Sequence, residues 1–298
     1  MSVQKPRLAF LLSGYGLYRR GAEIFLAQLA ERLRPHFDIA ILSRARDGVI
    51  HVPAVSRANR GANFINLCPI LGHALRFCHL DPLNLEWFTS CLGALPWLLR
   101  NPIDVFIPEA GLWGGCLGRL LRGVKGVPFV DIGYGAVSRW EVAAARQRPD
   151  CYVAITRVSA ADIAARVRGM RTATIPMAVD TSRFTPEGEQ MQLDLSRPWI
   201  LCVGAMEGVK RMDLAIRAVK EWGQGSLILV GEGPLQAEWE ELGRRLLGAN
   251  RFRRLTLDIK ELPALYRSAD LFTSASRSES FGLVYLEDGV EQAGRHPG

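Results

Sequence analysis

The stretch "RLAFLLSGYGLYRRGAEIFLAQLAERLRPHFDIAIL" (residues 7–42) decides the fold. It opens with an apolar run that stops at Ser13 and Gly14, as a buried strand does at its carboxyl end. Residues 21–33 then carry apolar side chains at helical spacing, and "FDIAIL" (37–42) predicts a second strand. A strand, a helix and a strand in this order form the β-α-β unit of a parallel sheet.

The same alternation continues along the chain and restarts once, after a polar stretch at 185–197. The predicted strands are 104–108, 127–132, 151–155 and 172–176, then 199–204, 226–231, 254–259 and 270–275, with helices at about 84–99, 114–122 and 158–168, then 211–222, 235–246 and 260–267. We therefore expect an α/β protein with two doubly wound, Rossmann-like domains, residues 1–185 and 186–298. Its ligand is expected in the cleft between them, at the carboxyl ends of the strands.

Composition favours a soluble globular protein, with 48% hydrophobic residues among 298. The most apolar stretch, "CLGALPWLL" (91–99), is about half the length that a membrane-spanning helix needs and is interrupted by Pro96. The six cysteines form no C-x-x-C pair, and the first residues lack the pattern of a signal peptide. These features predict buried free thiols and a cytoplasmic protein.

The net positive charge of the chain comes entirely from its first half. Residues 1–150 hold 18 Lys and Arg against 11 Asp and Glu, whereas residues 151–298 hold 19 of each. Either the first half has an arginine-rich solvated surface, or it faces an anionic partner such as a membrane surface. The residues around Trp87 and Trp97 fit a peripheral membrane contact or a buried amphipathic helix. Nucleic acid is disfavoured because the cations do not alternate with aromatic residues.

The first strand-to-helix turn disfavours a nicotinamide cofactor. It contains Gly14 and Gly16, but Arg19 occupies the position where a dinucleotide fingerprint needs glycine. The second strand closes with "ILSRAR" (41–46), which offers no carboxylate to an adenosine ribose. The two glycines indicate either a simple tight turn or close approach of the backbone to a phosphate or sugar.

Two turns of the second domain predict contacts with a phosphorylated ligand. In "GAMEGVKR" (204–211), Lys210 and Arg211 open a helix, where cations oppose the helix dipole but suit a diphosphate. In "LVGEGP" (229–234), Gly231 and Gly233 allow close approach of the backbone to a ligand, although ordinary turn chemistry explains them equally well.

The segment "SESFGLVYLE" (278–287) predicts a helix from Phe281, with Ser280 as its N-cap. Glu279 precedes this helix and Glu287 lies about two turns along it, so both carboxylates can accept hydrogen bonds from vicinal diols. The first backbone amides of the helix would face a phosphate. These amides belong to Phe281, Gly282 and Leu283.

Taken in order, four segments resemble the retaining, nucleotide-sugar-dependent glycosyltransferases of family four, which have the GT-B fold. They are "IPMAVDTSRFTP" (175–186), "ILCVGAMEGVKRMDLAIRAV" (200–219), "LILVGEGP" (227–234) and "ELPALYRSADLFTSASRSESFGLVYLE" (261–287). The resemblance implies transfer of a hexose from UDP-, GDP- or ADP-hexose, with the anomeric configuration kept, to a glycan, lipid-linked or small-molecule acceptor. No metal or other cofactor is implied.

The resemblance also implies roles for individual residues. Glu279 would bind the donor sugar near the reacting centre and Glu287 the ribose, while Lys210 and Arg211 would neutralise the diphosphate. The amides of Phe281 and Gly282 would assist them, and the loop at Gly14 and Gly16 would approach the donor phosphate or the acceptor. The alternatives are an inactive GT-B remnant that binds a nucleotide or a partner protein, and a phosphorylase or epimerase on the same fold.

Three features depart from the family pattern. Ala205 stands where many relatives have arginine, and Tyr134 stands in place of a histidine, so Tyr134 or Glu109 would have to substitute for it. After Glu287 the chain continues as "DGVEQAGRHPG" (288–298), which lacks apolar periodicity and predicts a disordered end and a truncated second domain. From this departure we expect a chain of low stability or activity.

Overall fold

The computed structural model describes residues 5–17, 21–56, 81–135, 137–277, 279 and 281–292. The chain divides into two compact units, Met1–Pro176 and Met177–Gly298. The predicted domain boundary at 185–186 therefore falls inside the second unit.

In the first unit the described strands are all parallel. They run in the order β3-β2-β1-β4 and β5-β6-β7, and a bridge between Phe106 and Phe129 joins the two groups. The strands are β1 (Arg7–Leu11), β2 (Asp38–Ser43), β3 (Ile50–His51), β4 (Val105–Pro108), β5 (Val130–Gly133), β6 (Cys151–Ala154) and β7 (Thr172–Thr174), and the helices are α1 (Gly21–Leu33), α2 (Pro82–Arg100), α3 (Gly111–Lys125), α4 (Arg139–Ala145) and α5 (Arg157–Arg166). The β-α-β unit predicted at 7–42 is confirmed as β1-α1-β2.

Apolar side chains cover both faces of this sheet. On one face Phe106 packs with Leu98 of α2 and Leu121 of α3, and all three are fully buried. On the other face Phe10 packs with Leu26 of α1. Helices on both faces leave the carboxyl ends of the strands as the edge where polar side chains can gather.

One helix of the first unit was not predicted, and another follows the prediction through a proline. The sequence analysis missed α4, although Ser138 and Glu141 form a capping box: the Ser138 hydroxyl accepts from the Trp140 amide at 3.1 Å, and Glu141 accepts from the Ser138 amide at 2.8 Å. The helix predicted at about 84–99 is confirmed as α2, which continues through Pro96 to Arg100. Among the described residues, no helix is both long and apolar enough to cross a bilayer.

The free thiols include one that departs from expectation. Cys91 and Cys202 are buried as predicted, but Cys116 on α3 is exposed. Cys151 is half-buried. The remaining two, Cys68 and Cys78, lie outside the described residues.

The second unit contains a parallel sheet in the order β10-β9-β8-β11. Its strands are β8 (Trp199–Val203), β9 (Ser226–Val230), β10 (Phe252–Leu255) and β11 (Leu271–Phe272), and its helices are α6 (Met212–Trp222), α7 (Gln236–Leu247), α8 (Leu262–Ser268) and α9 (Leu283–Gln292). The predicted strand at 254–259 is wrong in its bounds, since β10 begins and ends earlier. Each unit thus has the α/β, Rossmann-like arrangement that we predicted.

The disordered end predicted after Glu287 is wrong for residues 288–292, which belong to α9. Val290 packs against the core of the second unit, and the side chain of Glu291 is fully buried in an ion pair with Arg267, 3.0 Å away. The pattern lacked apolar periodicity because one of the buried positions is a charged residue with a buried partner. Residues 293–298 lie outside the described part of the chain.

A buried carboxyl group in the first unit predicts a pH-dependent stability. The pKa of Asp131 on β5 is raised from 3.8 to about 7: burial raises it most, the hydrogen bond from the Ile132 amide opposes the shift, and the charge of Glu141 adds to it. Because the folded state binds this proton more tightly than the unfolded chain, stability is lost as the pH rises from about 4 to about 7. At about 1.4 kcal/mol for each pH unit, the loss is on the order of 4 kcal/mol.

We expect Asp131→Asn to remove this dependence. The variant should match the parent chain near pH 4 or below and exceed its free energy of unfolding near pH 8, as measured by urea unfolding at both values. The exposed Asp47→Asn is the control and should leave the difference unchanged. Equal pH dependence in the parent chain and Asp131→Asn would contradict the assignment.

Candidate functional site

Two predicted site residues of the second unit form an ion pair. The Lys210 Nζ lies 2.6 Å from Glu279 Oε1, and each side chain is 23% exposed. Lys210 ends the loop that follows β8, and its amide donates to the Glu207 carbonyl at 2.9 Å. The amide of Arg277 donates to the Val209 carbonyl at 3.0 Å, which fixes the segment after β11 against this loop. The structure therefore brings together the residue predicted to bind the diphosphate, Lys210, and the residue predicted to bind the donor sugar, Glu279.

Arg211 has a different environment from Lys210. It precedes α6 in the left-handed conformation, with φ 48° and ψ 44°. It lines a groove of about 400 Å³ between α6 and α7, together with Asp213, Arg217, Glu238 and Arg245. That Lys210 and Arg211 contact the same diphosphate therefore stays a prediction.

The glycines after β9 let two backbone loops touch. A Cβ atom on Gly231 would lie 1.9 Å from the Gly204 carbonyl oxygen, and one on Gly233 would lie 2.5 Å from the Met206 carbonyl oxygen. The Met206 amide donates to the Glu232 carbonyl at 2.8 Å, so the two loops are hydrogen-bonded where they touch. Packing of the loop after β9 on the loop after β8 thus explains both glycines, and their approach to a ligand stays a prediction.

The helix that carries Glu287 begins two residues later than predicted. Gly282 has φ +79° and precedes α9, whose first residue is Leu283, so the start expected at Phe281 is wrong. A side chain at position 282 would meet the ring of Tyr285 at 2.7 Å, which explains the glycine. The first-turn amide of Leu283 has no intrahelical partner and keeps the predicted ability to bind an anion. The predicted cap, Ser280, lies outside the described residues.

Glu287 is held by a residue that the sequence analysis missed. Its Oε2 accepts a hydrogen bond from the hydroxyl of Tyr266 at 3.0 Å, and Tyr266 of α8 is fully buried. Burial raises the pKa of Glu287, against the lowering effect of the Tyr266 bond, and burial together with Glu287 raises the pKa of Tyr266 well above 10.0. The contact fixes one carboxylate oxygen. A tyrosine at a helical core position carries no sequence signal for this role.

Cys202 of β8 lies near Lys210 and Tyr266. Burial raises the pKa of its thiol to about 12 while Lys210 lowers it, and Cys202 in turn contributes to the raised pKa of Tyr266. Lys210 and Tyr266 therefore both lie near Cys202, at the carboxyl end of β8, which is one of the two inner strands of this sheet. Lys210, Glu279 and Glu287 thus belong to one polar region.

The glycine turn of the first unit is a tight turn. The Leu17 amide donates to the Gly14 carbonyl at 3.0 Å, and Gly16 has φ +76°. The hydroxyl of Ser43, at the end of β2, donates to the Tyr15 carbonyl at 2.8 Å and holds the turn in place. Ordinary turn geometry accounts for Gly16, and approach of this turn to a phosphate or sugar remains a prediction.

A second polar cluster at the carboxyl edge of the first sheet was not predicted. Arg44 Nη1, after β2, lies 2.8 Å from Glu86 Oε2 on α2, and Ser13 Oγ, after β1, donates to Glu86 Oε1 at 3.3 Å. Glu86 is fully buried, so the cluster ties both strand ends to α2. The two positions suggested as substitutes for a histidine are near neighbours of this sheet: Tyr134 packs edge-to-face on Phe25, and Glu109 follows β4.

The second unit is similar in sequence to a known protein family. Residues 197–288 match the model of a family described as "Glycosyl transferases group 1". The sulfoquinovosyl transferase SQD2 of Arabidopsis thaliana is 29% identical over 116 residues, which are 37% of this chain and 22% of that protein. The D-inositol 3-phosphate glycosyltransferase of Salinispora tropica is 32% identical over 165 residues, 46% of this chain and 34% of that protein. The matches thus span about a third or less of the length of these relatives.

Likeness in structure extends over nearly the whole chain. Trehalose-6-phosphate synthase OtsA superposes with a TM-score of 0.69 at 13% identity, covering 98% of this chain and 83% of that one. At so low an identity the likeness concerns the fold. The predicted GT-B class, with two Rossmann-like units in one chain, is confirmed.

Proposed function

We propose that this chain is a glycosyltransferase that moves a hexose from a nucleoside-diphosphate sugar to an acceptor. The observation that carries the proposal is the polar region of the second unit, where Lys210 pairs with Glu279 and Glu287 is anchored by Tyr266. This region lies within the segment that matches the glycosyltransferase family. The two similar transferases support the same class of reaction.

Each residue has a role that its surroundings allow. The Lys210 ammonium would neutralise the diphosphate, and the amides at the start of α9 would add hydrogen bonds to it. Glu287 has one oxygen fixed by Tyr266, and its other oxygen would accept from a ribose hydroxyl. Glu279 would exchange its contact with Lys210 for the hydroxyls of the donor sugar.

For the chemical step we propose that the sugar keeps its anomeric configuration. The bond from the anomeric carbon to the diphosphate oxygen breaks while the acceptor oxygen bonds to the same face of that carbon. The positive charges of Lys210 and Arg211 would stabilise the departing diphosphate, which takes the acceptor proton. We propose UDP-, GDP- or ADP-hexose as donor, and a glycan, lipid-linked or small-molecule acceptor bound by the first unit.

The test is calorimetric titration of the purified chain with UDP, GDP, ADP and their hexose conjugates. We expect one nucleotide to bind, and Glu287→Ala to weaken it by about 10- to 100-fold, because a hydrogen bond to a charged group is worth about 1.5–3 kcal/mol. The 2′- and 3′-deoxy forms of that nucleotide should lose little further affinity in the variant, since the hydroxyl partner is already missing.

The exposed Glu221→Ala, at the end of α6, is the matched control and should bind as the parent chain does. A folded chain that binds none of the nucleotides would overturn the proposal. Binding without turnover of any conjugate would instead favour an inactive GT-B protein that retains a nucleotide.

A further inference from the structure

Two neighbouring helices of the first unit, α2 and α3, expose apolar side chains to solvent. Leu92 and Leu99 of α2 are 53% and 43% exposed, and Leu120 and Val124 of α3 are 46% and 64% exposed. Leu92 and Leu99 are seven positions apart, and Leu120 and Val124 are four apart, so each pair lies along one side of its helix. We call these four residues the apolar stripe.

The two halves of the apolar stripe lie side by side. The rings of Phe88 and Trp113 are 4.7 Å apart at one end of the helix pair. At the other end, Lys125 Nζ donates to the Leu98 and Asn101 carbonyls at 2.7 and 2.6 Å. These contacts align the helices in parallel with a constant offset, which brings Leu99 level with Val124. The stripe is therefore one continuous surface and not a set of isolated residues.

The charged residues that α2 and α3 themselves expose beside the apolar stripe are positive. α3 contains Arg119, Arg122 and Lys125 and no acidic residue, and α2 adds the exposed Arg100. The acidic residue within α2, Glu86, is fully buried and paired with Arg44, so it does not offset these cations at the surface. Arg122 pairs with Asp150 at 3.4 Å, so Arg100 and Arg119 are the cations that this face offers. A face that combines exposed aliphatic side chains with cations complements an anionic, partly apolar surface.

The two tryptophans that suggested a membrane contact in the sequence do not support one in the structure. Trp87 and Trp97 are partly buried and pack against the core of the first unit, as the buried-helix interpretation predicted. A second copy of the chain is a poor occupant, because two such faces would bring Arg100 and Arg119 of one copy towards the same cations of the other.

We propose that the face formed by α2 and α3 docks on an anionic lipid surface, with the apolar stripe at the level of the acyl chains and Arg100 and Arg119 at the headgroups. Lipid phosphates would accept hydrogen bonds from the guanidinium groups. Attraction of this kind weakens as salt screens the charges, whereas burial of the leucines does not. The two contributions can therefore be separated experimentally.

The experiment is flotation of the full chain with vesicles of phosphatidylcholine, alone or with about a third of phosphatidylglycerol. We expect binding to the anionic vesicles to be at least about tenfold stronger, and to fall as salt is added. Arg100→Gln with Arg119→Gln, and separately Leu99→Ser with Val124→Ser, should each reduce binding at least about fivefold. Both variants should keep the circular dichroism spectrum and the urea unfolding midpoint of the parent chain, which would show that they are folded.

Matched controls come from α5 of the same unit, where Arg157 is exposed and Val158 is 80% exposed. Arg157→Gln and Val158→Ser should leave vesicle binding unchanged. Equal binding to neutral and anionic vesicles, or equal loss in the controls, would overturn the proposal. A concentration-dependent dimer that disappears in the α2 and α3 variants would also overturn it, in favour of contact between copies of the chain.

Discussion

Replacing Lys210 with methionine is expected to lower the affinity of the chain for nucleoside diphosphates by about 10- to 100-fold, whereas Glu279→Gln is expected to raise it by about 2- to 10-fold. The opposite signs follow from the ion pair that joins the two residues at 2.6 Å. A diphosphate needs the Lys210 ammonium, and Glu279 already occupies it. Removing the negative charge of Glu279 frees Lys210 for the ligand.

The sugar should reverse the effect of Glu279→Gln. If Glu279 leaves Lys210 to accept hydrogen bonds from the hexose hydroxyls, the parent chain gains affinity when the diphosphate carries its hexose. The glutamine variant should gain less, because a neutral amide is a weaker acceptor than a carboxylate. Comparing each diphosphate with its hexose conjugate therefore separates competition for Lys210 from recognition of the sugar.

Calorimetric titration of the parent chain and the two variants measures both effects. The exposed Lys220→Met and Glu221→Gln, on α6, are controls for the loss of one charge in the second unit. Weaker diphosphate binding by Glu279→Gln than by the parent chain would contradict competition within the pair. Unchanged binding by Lys210→Met would remove Lys210 from the site.

The strands were predictable because of where they lie in the sheets. A parallel strand covered on both faces, such as β1 or β9, appears in sequence as an unbroken apolar run that ends at a glycine. β10 is an edge strand that pairs with β9, and it carries Arg254, which reaches Glu240 at 2.8 Å. Charge on an edge strand interrupts its apolar run, so a strand was predicted here with the wrong bounds.

The site residues likewise divide into those that the sequence revealed and those that it did not. Lys210 and Glu279 stand in loops after apolar strands, where a charged side chain is conspicuous, and the structure pairs them. Tyr266 and Glu86 lie inside helices, where a tyrosine or a glutamate is compatible with either a core position or a solvated face. Their roles depend on how one helix packs on another element, which the spacing of residues along the chain does not encode.

Replacing Arg267 with methionine is expected to destabilise the second unit by about 3–5 kcal/mol, because it removes the guanidinium that neutralises the buried carboxylate of Glu291. Arg267 is 7% exposed and Glu291 is fully buried, with Nη1 and Oε2 3.0 Å apart. The guanidinium also donates to the carbonyls of Thr185 and Glu189 at 3.0 and 2.9 Å. It thereby fastens the segment before β8 and the end of α9 to α8.

Urea unfolding followed by tryptophan fluorescence measures this loss, since Trp199 and Trp239 are buried reporters in the second unit. The double variant Arg267→Met, Glu291→Met should be more stable than either single variant, because an apolar pair leaves no buried charge behind. Arg244→Met breaks an exposed pair with Glu240 and should cost no more than about 1 kcal/mol. A cost for Arg267→Met as small as that of Arg244→Met would show that residues 288–292 add little to the unit. The large cost that we expect would make the end of α9 part of its core.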